Sequence, residues 1–473
     1  MSATRVEKDS MGEMSVPADA YYGAQTARAV ENFPISGRHM PRRFIAALAT
    51  IKKCAAKVNA DLNLIKPQER DLITKAADEV IAGKLDDQFV VDVYQTGSGT
   101  SSNMNANEVI ASRANEIATG KRGGREPIHP NDHVNRGQSS NDNVPAAIHI
   151  AAVDALERAL IPALEKLQSA LESKAKAFDH IVKIGRTHLQ DAVPVRLGQE
   201  FGGYATQVAH GIDRLRSVMP RLSQLATGGT AVGTGLNTHP EYPERVAAAI
   251  SAETGLKFQP AEDFFEALAA RDAAVETSGA VKTVAVSLGK IANDVRWLAS
   301  GPRCGIGEIS IPATQPGSSI MPGKVNPVIS EAMLMVVARV IGNDATISVG
   351  GLMGGTFELN VMKPVIATCL IESIELLAAA ASVFTTKCVN GIEANEDSCE
   401  EMIERSLAMC TALVPEIGYD KAADIAKQAL KSGRTVREVA IETSGLTKEQ
   451  IAAMLDPRSQ TERGIPAGPV AMG

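Results

Sequence analysis

The sequence predicts an all-α protein built around a central bundle of five long helices. Alanine is abundant, and aromatic residues make up only 4% of the 473 residues. Such a composition favours closely approaching helices over sheets. Several long stretches also repeat apolar residues at intervals of three and four, the period that places them on one helical face. The composition and the periodicity therefore indicate the same fold class.

The N-terminal part is expected to be less regular than the rest. Residues 1–40 are punctuated by glycine and proline and should be irregular or form short strands. Helical periodicity starts near Pro41 and continues, with breaks, to about Ile117. A glycine-rich turn and a polar loop from His129 to Ser140 follow, and the pattern then changes to long helices.

Apolar stripes define the long helices. The first stripe consists of Ala152, Leu156, Leu160, Leu164, Leu167 and Leu171. The second consists of Leu197, Phe201, Tyr204, Val208, Ile212 and Leu215. The third consists of Val281, Val284, Leu288, Ile291, Val295 and Leu298, spaced like a coiled-coil seam. The fifth helix carries Ile366, Leu370, Ile374 and Leu377. Pro162 should kink the first helix, and a fourth helix should run from Pro327 to about Gly342.

The length of these helices bears on how their apolar stripes can be buried. Helices near forty residues reach roughly 45–60 Å at 1.5 Å per residue. We expect that a compact monomer cannot cover all these stripes, so the chain should associate into a bundle of bundles. The alternative is a single large helical monomer.

Three domains are predicted from the change of pattern along the chain. Residues 1–138 should form a mixed, mostly helical N-terminal domain, and residues 139–395 the five-helix bundle. Residues 396–473 should form a small helical domain, because the helices become short there. Its helices are expected at Cys399–Val414, at Tyr419–Lys431 and after Thr447. The tail from Pro457 is rich in proline and glycine and is expected to be disordered.

Charge and cysteine content exclude several classes of function. The net charge of −7 argues against a nucleic-acid or membrane-surface partner. The six cysteines form no Cys-x-x-Cys pair, which argues against zinc and iron–sulfur sites and fits a reducing compartment. The longest strongly apolar run, Leu376 to Phe384, is too short to span a bilayer. We therefore expect a cytoplasmic protein that binds neither nucleic acid nor membrane.

The stretch Gly317–Pro327 stands out as a loop with unusual chemistry. Two glycines and two prolines so close together cannot lie inside a helix or a central strand. Asn326 is expected to cap a helix whose first residue is Pro327. Two serine hydroxyls and Lys324 would then lie directly before a helix N-terminus, a place that suits a carboxylate or phosphate. An ordinary Gly/Pro connector is the alternative.

Three further stretches are dense in hydrogen-bond donors and glycine. They are Gly97–Asn105, His129–Asp142 and Gly185–Asp191. Each precedes a helical run, so each has an alternative interpretation as helix-capping chemistry. One helix start does not need so many uncharged donors, however, and together with the loop around Ser318 they could line one anion site.

These stretches resemble the class II fumarases, the metal-independent fumarate hydratases of the fumarase/aspartase superfamily. The resemblance runs from Val16–Gly23 to Ile417–Ala423 and includes Gly228–Asn237. It implies the three-domain superfamily fold, a homotetramer with a multi-helix core, and active sites shared between subunits. It also implies reversible hydration of fumarate to L-malate through an aci-carboxylate intermediate, without a cofactor or metal.

The resemblance also assigns roles to residues. Ser318 is matched to the base that removes the carbon-bound proton, with Lys324, the following backbone amides and the helix end stabilising its alkoxide. His188 is matched to the group that activates water or protonates the leaving hydroxyl. Glu331 is matched to the carboxylate that orients and charges His188. The substrate-binding positions are Ser98, Gly99, Thr100, Ser139, Ser140, Asn141, Thr187, Ser319, Lys324 and Asn326.

A second dicarboxylate site is implied by the same resemblance. His129, Asn131 and Asp132 match it, and a basic residue is expected just before them. Glu126 stands at that place, with Arg125 beside it.

Other functions compete with hydration. Aspartate ammonia-lyase shares the fold and the proton abstraction, and His133 and Val328–Ile329 look aspartase-like, whereas aspartases carry glutamine where this chain has His188. Argininosuccinate and adenylosuccinate lyases share the Gly317–Pro327 loop but little else. A non-catalytic structural homologue, such as the superfamily's lens proteins, predicts losses at catalytic positions. Without the motif, His188 would be interpreted as a structural histidine and Glu331 as a favourable first-turn charge.

Overall fold

The computed structural model describes residues 3–464 and is predominantly helical. Within these residues there are seventeen α-helices, whereas the longest strand has seven residues. Each sheet in this part of the chain consists of two short strands. The prediction of an all-α fold with five long helices is confirmed.

The helices and strands follow one another with short connections. The helices are α1 Ala24–Asn32, α2 Arg42–Asp61, α3 Pro67–Ile81, α4 Thr100–Thr119, α5 Ser140–Ala155, α6 Ile161–Ala177, α7 Leu197–Leu222, α8 Tyr242–Thr254, α9 Phe264–Ala269, α10 Asp272–Leu298, α11 Val328–Gly354, α12 Lys363–Lys387, α13 Glu396–Arg405, α14 Val414–Ile417, α15 Tyr419–Ser432, α16 Val436–Thr443 and α17 Lys448–Met454. The strands are β1 Thr4–Asp9, β2 Gly12–Pro17, β3 Val182–Thr187, β4 Gln190–Arg196, β5 Gln224–Leu225, β6 Gln259–Pro260, β7 Ile309–Ser310, β8 Gly355–Thr356, β9 Leu359–Asn360 and β10 Glu393–Ala394.

The N-terminal region contains a helix that the sequence did not predict. Strands β1 and β2 form the expected short hairpin, but α1 follows without a side-chain cap of its own. The buried carboxylate of Glu108 in α4 instead accepts backbone N–H bonds from Gly23 (2.9 Å), Gln25 (3.0 Å) and Thr26 (3.1 Å). The start signal of α1 therefore lies 82–85 residues away in the sequence and is invisible to local pattern analysis.

The described chain divides into two compact units. The first unit comprises the residues up to Pro162, Gly211–Val286 and Val336–Ala379, and in it α2 packs against α3, α5 and α8. The second unit comprises Ala163–His210, Ser287–Met335 and the residues from Ala380 onward. Four of the five dividing points fall inside the long helices α7, α10, α11 and α12, and the fifth falls at the start of α6. The predicted boundaries at 138 and 395 remain a prediction.

The predicted stripes form the core, but they do not need a partner chain to be covered. Every member of the four stripes named above is buried within the single chain. The expectation that the stripes themselves require association is therefore wrong. Apolar exposure lies instead on α11, where Met335, Leu352 and Met353 are 68%, 81% and 72% exposed. The predicted stripes are thus buried within the single chain, whereas a different apolar surface, on α11, is exposed to solvent.

Helix geometry departs from the prediction at two prolines. A π-helical turn at Leu156–Leu160 joins α5 to α6 directly before Pro162, where a kink was expected. Proline lacks the N–H that an α-helical ladder needs, and a π turn is one way to accommodate its ring. Helix α11 begins at Val328, one residue after Pro327, and continues well past the predicted end at Gly342 to Gly354.

The C-terminal helices share a small core. Its members are Ile403, Met409, Ala412, Leu413, Ile425, Ala429, Val436, Val439, Ala440, Ile451, Met454 and Leu455. The first predicted helix is α13, a 3₁₀ segment and α14 in succession, and α16 was not predicted although Thr435 and Glu438 form a capping box.

The predicted tail begins as ordered chain. Residues 457–464 are described and include a 3₁₀ turn at Ser459–Thr461, so the prediction of disorder is wrong for them. Arg196 holds this segment through Thr461 (2.9 Å) and Glu462 (2.5 Å). Residues 465–473 lie outside the described residues.

Two helical stretches exceed the apolar run noted in the sequence. By length and composition alone, Val328–Gly354 and Lys363–Gly391 could cross a membrane. Core helices of soluble proteins pass the same test, and 61% of the apolar window of Lys363–Gly391 is buried. The absence of a membrane partner therefore remains a prediction.

Candidate active site

Three hydroxyl groups from two helix starts meet in the first unit. Thr100 Oγ1 hydrogen-bonds to Ser98 Oγ and to Ser140 Oγ, both at 2.7 Å. Ser98 and Thr100 come from the start of α4, whereas Ser140 opens α5. The structure therefore brings together two of the donor-rich stretches that the sequence singled out. Hydroxyls can turn their protons towards an incoming carboxylate, so this cluster is suited to an anion.

Glycines place this cluster close to neighbouring backbone and side chains. Gly99 lies in the left-handed region (φ 79°), and a Cβ there would lie 2.7 Å from Val144. A Cβ on Gly97 would lie 1.8 Å from the carbonyl oxygen of Val361. Both positions therefore require glycine, one for conformation and packing and the other for packing. Gly99 acts by shaping the turn that precedes α4.

The start of α5 is fixed by a capping box. The Ser139 hydroxyl accepts the N–H of Asn141 (3.1 Å), and the Asp142 carboxylate accepts the N–H of Ser139 (3.0 Å). Asn141 Nδ2 donates to the carbonyl of Ala231 (2.7 Å). The capping interpretation of this stretch is thus correct, and it does not exclude binding, because the same cap aims the turn Ser139–Asn141.

A glycine-rich loop packs against this turn. The other oxygen of the Asp142 carboxylate accepts the N–H groups of Gly228 (3.0 Å) and Thr230 (2.9 Å). Asp142 is fully buried, and this burial raises its pKa to about 6, against the lowering effect of the three amide donors and Lys52. The carboxylate of Asp142 therefore holds the start of the Gly228–Asn237 stretch against the turn Ser139–Asn141.

In the second unit, Thr187 and His188 lie at the tip of the β3–β4 hairpin. Thr187 pairs with Gln190, so His188 and Leu189 form a two-residue turn. Both have positive φ, 55° and 59°, as a type I′ hairpin turn requires. Non-glycine residues seldom occupy this region, and such strain is often found at functional sites. The turn presents the exposed imidazole of His188 to solvent.

A buried ion cluster anchors the base of this hairpin. Arg186 pairs with Glu308 (2.8 Å), and Glu308 also pairs with Lys183 (3.1 Å). Lys183 in turn pairs with Glu200 (2.9 Å). Glu308 and Lys183 are completely or almost completely buried, so breaking one partner would leave an uncompensated charge. The cluster fixes the strand that ends in Thr187 and His188.

The loop Gly317–Pro327 holds Ser318 in a turn of its own. The N–H groups of Ile320 (3.2 Å) and Met321 (2.9 Å) donate to Ser318 Oγ. The loop is closed by the N–H of Gly317, which donates to the Lys324 carbonyl (2.8 Å). Two amides aimed at one hydroxyl oxygen are suited to stabilise negative charge there, and the role of Ser318 as base stays a prediction.

Asn326 has a different role from the predicted helix cap. Its Nδ2 donates to the carbonyl of Gly317 (2.6 Å), and its own carbonyl accepts the N–H of Val328 (2.9 Å). The side chain therefore closes the loop across nine residues instead of capping α11. Ser319, Lys324 and Glu331 are exposed, whereas Ser318 and Asn326 are half-buried.

The three predicted catalytic side chains are not joined within one chain. Among residues 3–464, no hydrogen bond or ion pair links His188 to Ser318 or to Glu331, although all three belong to the second unit. The structure thus provides each group on its own turn or helix end, and the predicted relay from Glu331 to His188 remains a prediction.

The residues of the predicted second site cap a short π-helical turn, Pro130–Val134. His129 Nδ1 accepts the backbone N–H groups of Asn131 (3.2 Å) and Asp132 (3.1 Å). The backbone N–H of His129 donates to His133 Nδ1 (2.9 Å). Burial lowers the pKa of His129, against the attraction of Asp132. Ligand binding at this site remains a prediction.

Sequence reasoning missed the residues that support the site from behind. Asp142, Glu308 and Lys363 are buried charges that touch its segments. Lys363 had a visible signal, since it is a lone cation at the start of the very apolar helix α12. The ion pair between Glu308 and Arg186 could not be predicted, because these residues lie 122 positions apart in the sequence. Among residues 3–464, no group of three or more His, Cys, Asp or Glu is placed to hold a metal ion.

Comparison with known proteins identifies the family. A family model described as lyase matches residues 12–342, and one described as fumarase C C-terminus matches residues 409–462. The class II fumarate hydratase of Halobacterium salinarum is 60% identical, covering 98% of this chain and 98% of that protein. This chain belongs to the class II fumarase family. The class II fumarate hydratase of Neisseria meningitidis is 55% identical, covering 96% of this chain and 98% of that protein.

Structural comparison places this class II fumarase with a solved relative. The crystal structure of recombinant class II fumarase from Schistosoma mansoni matches with a TM-score of 0.95 and 41% identity, covering 97% of this chain and 99% of that one. The family, the lyase class and the fold expected from the motifs are thereby confirmed.

Proposed function

We propose that this class II fumarase catalyses the reversible hydration of fumarate to L-malate, with Ser318 as base and His188 as its acid–base partner. The observation that carries the mechanism is the pair of backbone amides directed at Ser318 Oγ. A serine hydroxyl is too weak an acid to act as a base unless its alkoxide is stabilised, and two preorganised donors provide that stabilisation. The names of the relatives support the choice of reaction.

In the dehydration direction the Ser318 alkoxide takes the proton from the malate carbon next to one carboxylate. The electron pair moves into that carboxylate and gives a dianionic aci-carboxylate. The pair then returns to form the carbon–carbon double bond, and the hydroxyl leaves with a proton from His188 as water. Hydration runs these steps in reverse.

The substrate carboxylates are assigned to the donor segments. The hydroxyls of Ser98, Thr100 and Ser140, which already contact one another, are suited to one carboxylate because their protons can reorient. Lys324 and Asn326 in the loop supply a cation and an amide for the other. Fixed donors of this kind stabilise the extra charge of the aci-carboxylate without further reorganisation.

The site is assigned to a homotetramer in which different subunits supply different segments. Two observations support this assembly. His188 forms no bond to Ser318 or Glu331 among residues 3–464, and α11 leaves a long apolar surface exposed. An exposed apolar helix face of this kind marks a protein–protein contact, and we expect other copies of this chain to cover it.

The activity is tested with purified protein and fumarate. Loss of the ultraviolet absorbance of fumarate in water, with L-malate as product, is expected. Consumption of fumarate only when ammonia is present would transfer the assignment to aspartate ammonia-lyase. No consumption in either case would favour the non-catalytic homologue.

Sharing of the site is tested by mixing two inactive variants. Ser318→Ala and His188→Asn are co-expressed and the hybrid tetramers isolated. If the two residues of one site come from different subunits, activity returns to about a quarter of the native value, since random mixing leaves that fraction of sites intact. Each variant homotetramer is assayed in parallel, because residual activity of either variant alone would also raise the activity of the mixture. Absence of any recovery contradicts sharing.

A further inference from the structure

Lys363 connects two of the donor segments from behind. It is the first residue of α12 and is completely buried. Its Nζ donates to the main-chain carbonyl of Asn141 (3.0 Å), and its backbone N–H donates to the carbonyl of Gly97 (3.0 Å). One residue thus ties the turn Ser139–Asn141 to the turn that precedes Thr100.

The surroundings of Lys363 carry more buried positive than negative charge. Arg271, whose charge acts on Lys363, is also buried, and the buried anion that attracts Lys363 is Asp142. The Asp142 carboxylate is already engaged by three backbone N–H groups. This local excess is opposite in sign to the net charge of −7 of the whole chain. A potential of this sign at low dielectric attracts an anion, and it attracts a dianion more strongly.

The protonation of Lys363 is finely balanced without a ligand. Burial and the nearby charge of Arg271 lower its pKa to about 7, and the attraction of Asp142 acts in the opposite direction. An anion held by the adjacent turn would favour the ammonium form. A buried ammonium is therefore most stable when the site is occupied.

We propose that Lys363 is a positioning residue of the dicarboxylate site, which holds the carbonyl of Asn141 and supplies the buried positive charge that makes the site prefer dianions over monoanions. This assignment rests on the proposed function, since it names the substrate class of the same site. Lys363 acts through Asn141 and through its field, and it is not assigned a contact with the substrate.

The test separates charge from hydrogen bonding. Lys363→Gln retains an N–H donor for the Asn141 carbonyl but removes the charge, whereas Lys363→Met removes both. Affinities for succinate and for its monomethyl ester are measured by calorimetry, together with kcat and KM for fumarate. In Lys363→Gln we expect succinate affinity to fall about tenfold, monoester affinity to change less than about twofold, and KM to rise more than kcat falls.

Lys52→Met is the matched control. Lys52 is equally buried and its pKa is likewise lowered to about 7, but its Nζ donates to the side chains of Asn135 (2.8 Å) and Gln138 (3.0 Å). Its loss is expected to lower the melting temperature while changing the succinate-to-monoester ratio less than Lys363→Gln does. If Lys363→Met does not fold, Lys363→Gln decides the question.

An unchanged succinate-to-monoester ratio in Lys363→Gln would overturn the proposal. Equal changes in Lys363→Gln and Lys52→Met would also overturn it, since they would indicate a general effect of buried charge on stability. Failure of the native protein to hydrate fumarate would instead refute the proposed function, and the binding ratio would still decide the role of Lys363.

Discussion

The donor cluster of the first unit and the two segments of the second that carry the proposed catalytic residues are built in opposite ways. Thr100 hydrogen-bonds to both Ser98 and Ser140, and the capping box of α5 and the buried Lys363 fix the backbone of this cluster. His188 and Ser318 instead lie on a hairpin tip and in a Gly/Pro loop that are largely open to solvent. The hydroxyl cluster is thus preorganised within its unit, whereas His188 and Ser318, the proposed catalytic residues, lie on segments that are largely exposed.

This difference follows from what each set of groups has to do. Donors that receive a fixed anion gain most from being held in place before it arrives. Under the proposed assembly, a base and an acid act together with groups from another chain, and they must remain accessible until that chain is present. Changes in the hydroxyl cluster of the first unit should therefore affect stability and binding, and changes at His188 and Ser318 should affect turnover.

The largest expected effect is that of Ser318→Ala. Loss of the base should reduce kcat about ten-thousandfold, the upper end of what general acid–base catalysis contributes. The melting temperature should stay the same, since the loop remains closed by Gly317 and Asn326. Steady-state kinetics and thermal unfolding measure the two effects. Thr314→Ala, in the same exposed connection, is the control, and near-native turnover of Ser318→Ala would remove the assignment.

His188→Asn is expected to reduce kcat about a thousandfold at an unchanged melting temperature. Asparagine tolerates the left-handed conformation that the turn imposes, so the hairpin should keep its shape. Leu189→Asn changes the neighbouring residue of the same turn and should retain activity. A large loss of stability in His188→Asn would show that the hairpin tip is structural and would blur the contrast between the units.

His149 provides a half-buried counterpart to the exposed His188. Its Nδ1–H donates to the carbonyl of Gln224 (2.7 Å), and burial, helped by the charge of Arg271, lowers its pKa to about 4. Because the unfolded chain binds this proton at the ordinary pKa near 6.5, the free energy of unfolding should fall as pH drops from 6.5 to 4, by about 3 kcal/mol.

Unfolding in denaturant at several pH values tests this expectation. His149→Gln keeps a donor for the Gln224 carbonyl but cannot titrate, so it should lose less stability than the native protein over that interval. Identical pH dependence in the two proteins would contradict the assignment to His149.

The smallest expected effect is that of Gly97→Ala. The added methyl would overlap the Val361 carbonyl and must displace the backbone, which should lower the free energy of unfolding by about 1–2 kcal/mol and raise KM. Gly203→Ala, where a Cβ meets open space, should be neutral or slightly stabilising. If Gly97→Ala changed kcat alone, the division between binding and catalytic units would not hold.

Much of the fold could be predicted because its signals are local. The stripes of α5–α6, α7, α10 and α12 follow a helical period over many residues, and every member is buried as predicted. The loop around Ser318 was equally clear, since its glycines and prolines exclude regular structure. The family resemblance then supplied the candidate residues.

What could not be predicted depends on partners far apart in the sequence. Glu308 and Lys363 act on Arg186 and Asn141 across more than a hundred residues, and no local pattern records such pairs. The sequence also did not predict which apolar surface stays exposed in the single chain. Periodicity shows that a face is apolar, but only packing shows that the stripes are covered internally while Met335 and Leu352 are not.

The carboxylate of Glu108 has a consequence for the order in which the protein is made. The start of α1 is synthesised more than 80 residues before Glu108, and a nine-residue helix is too short to persist alone in water. The growing chain must therefore carry this segment as coil until α4 emerges and docks. The first helix in the sequence thus depends on a segment that is synthesised later.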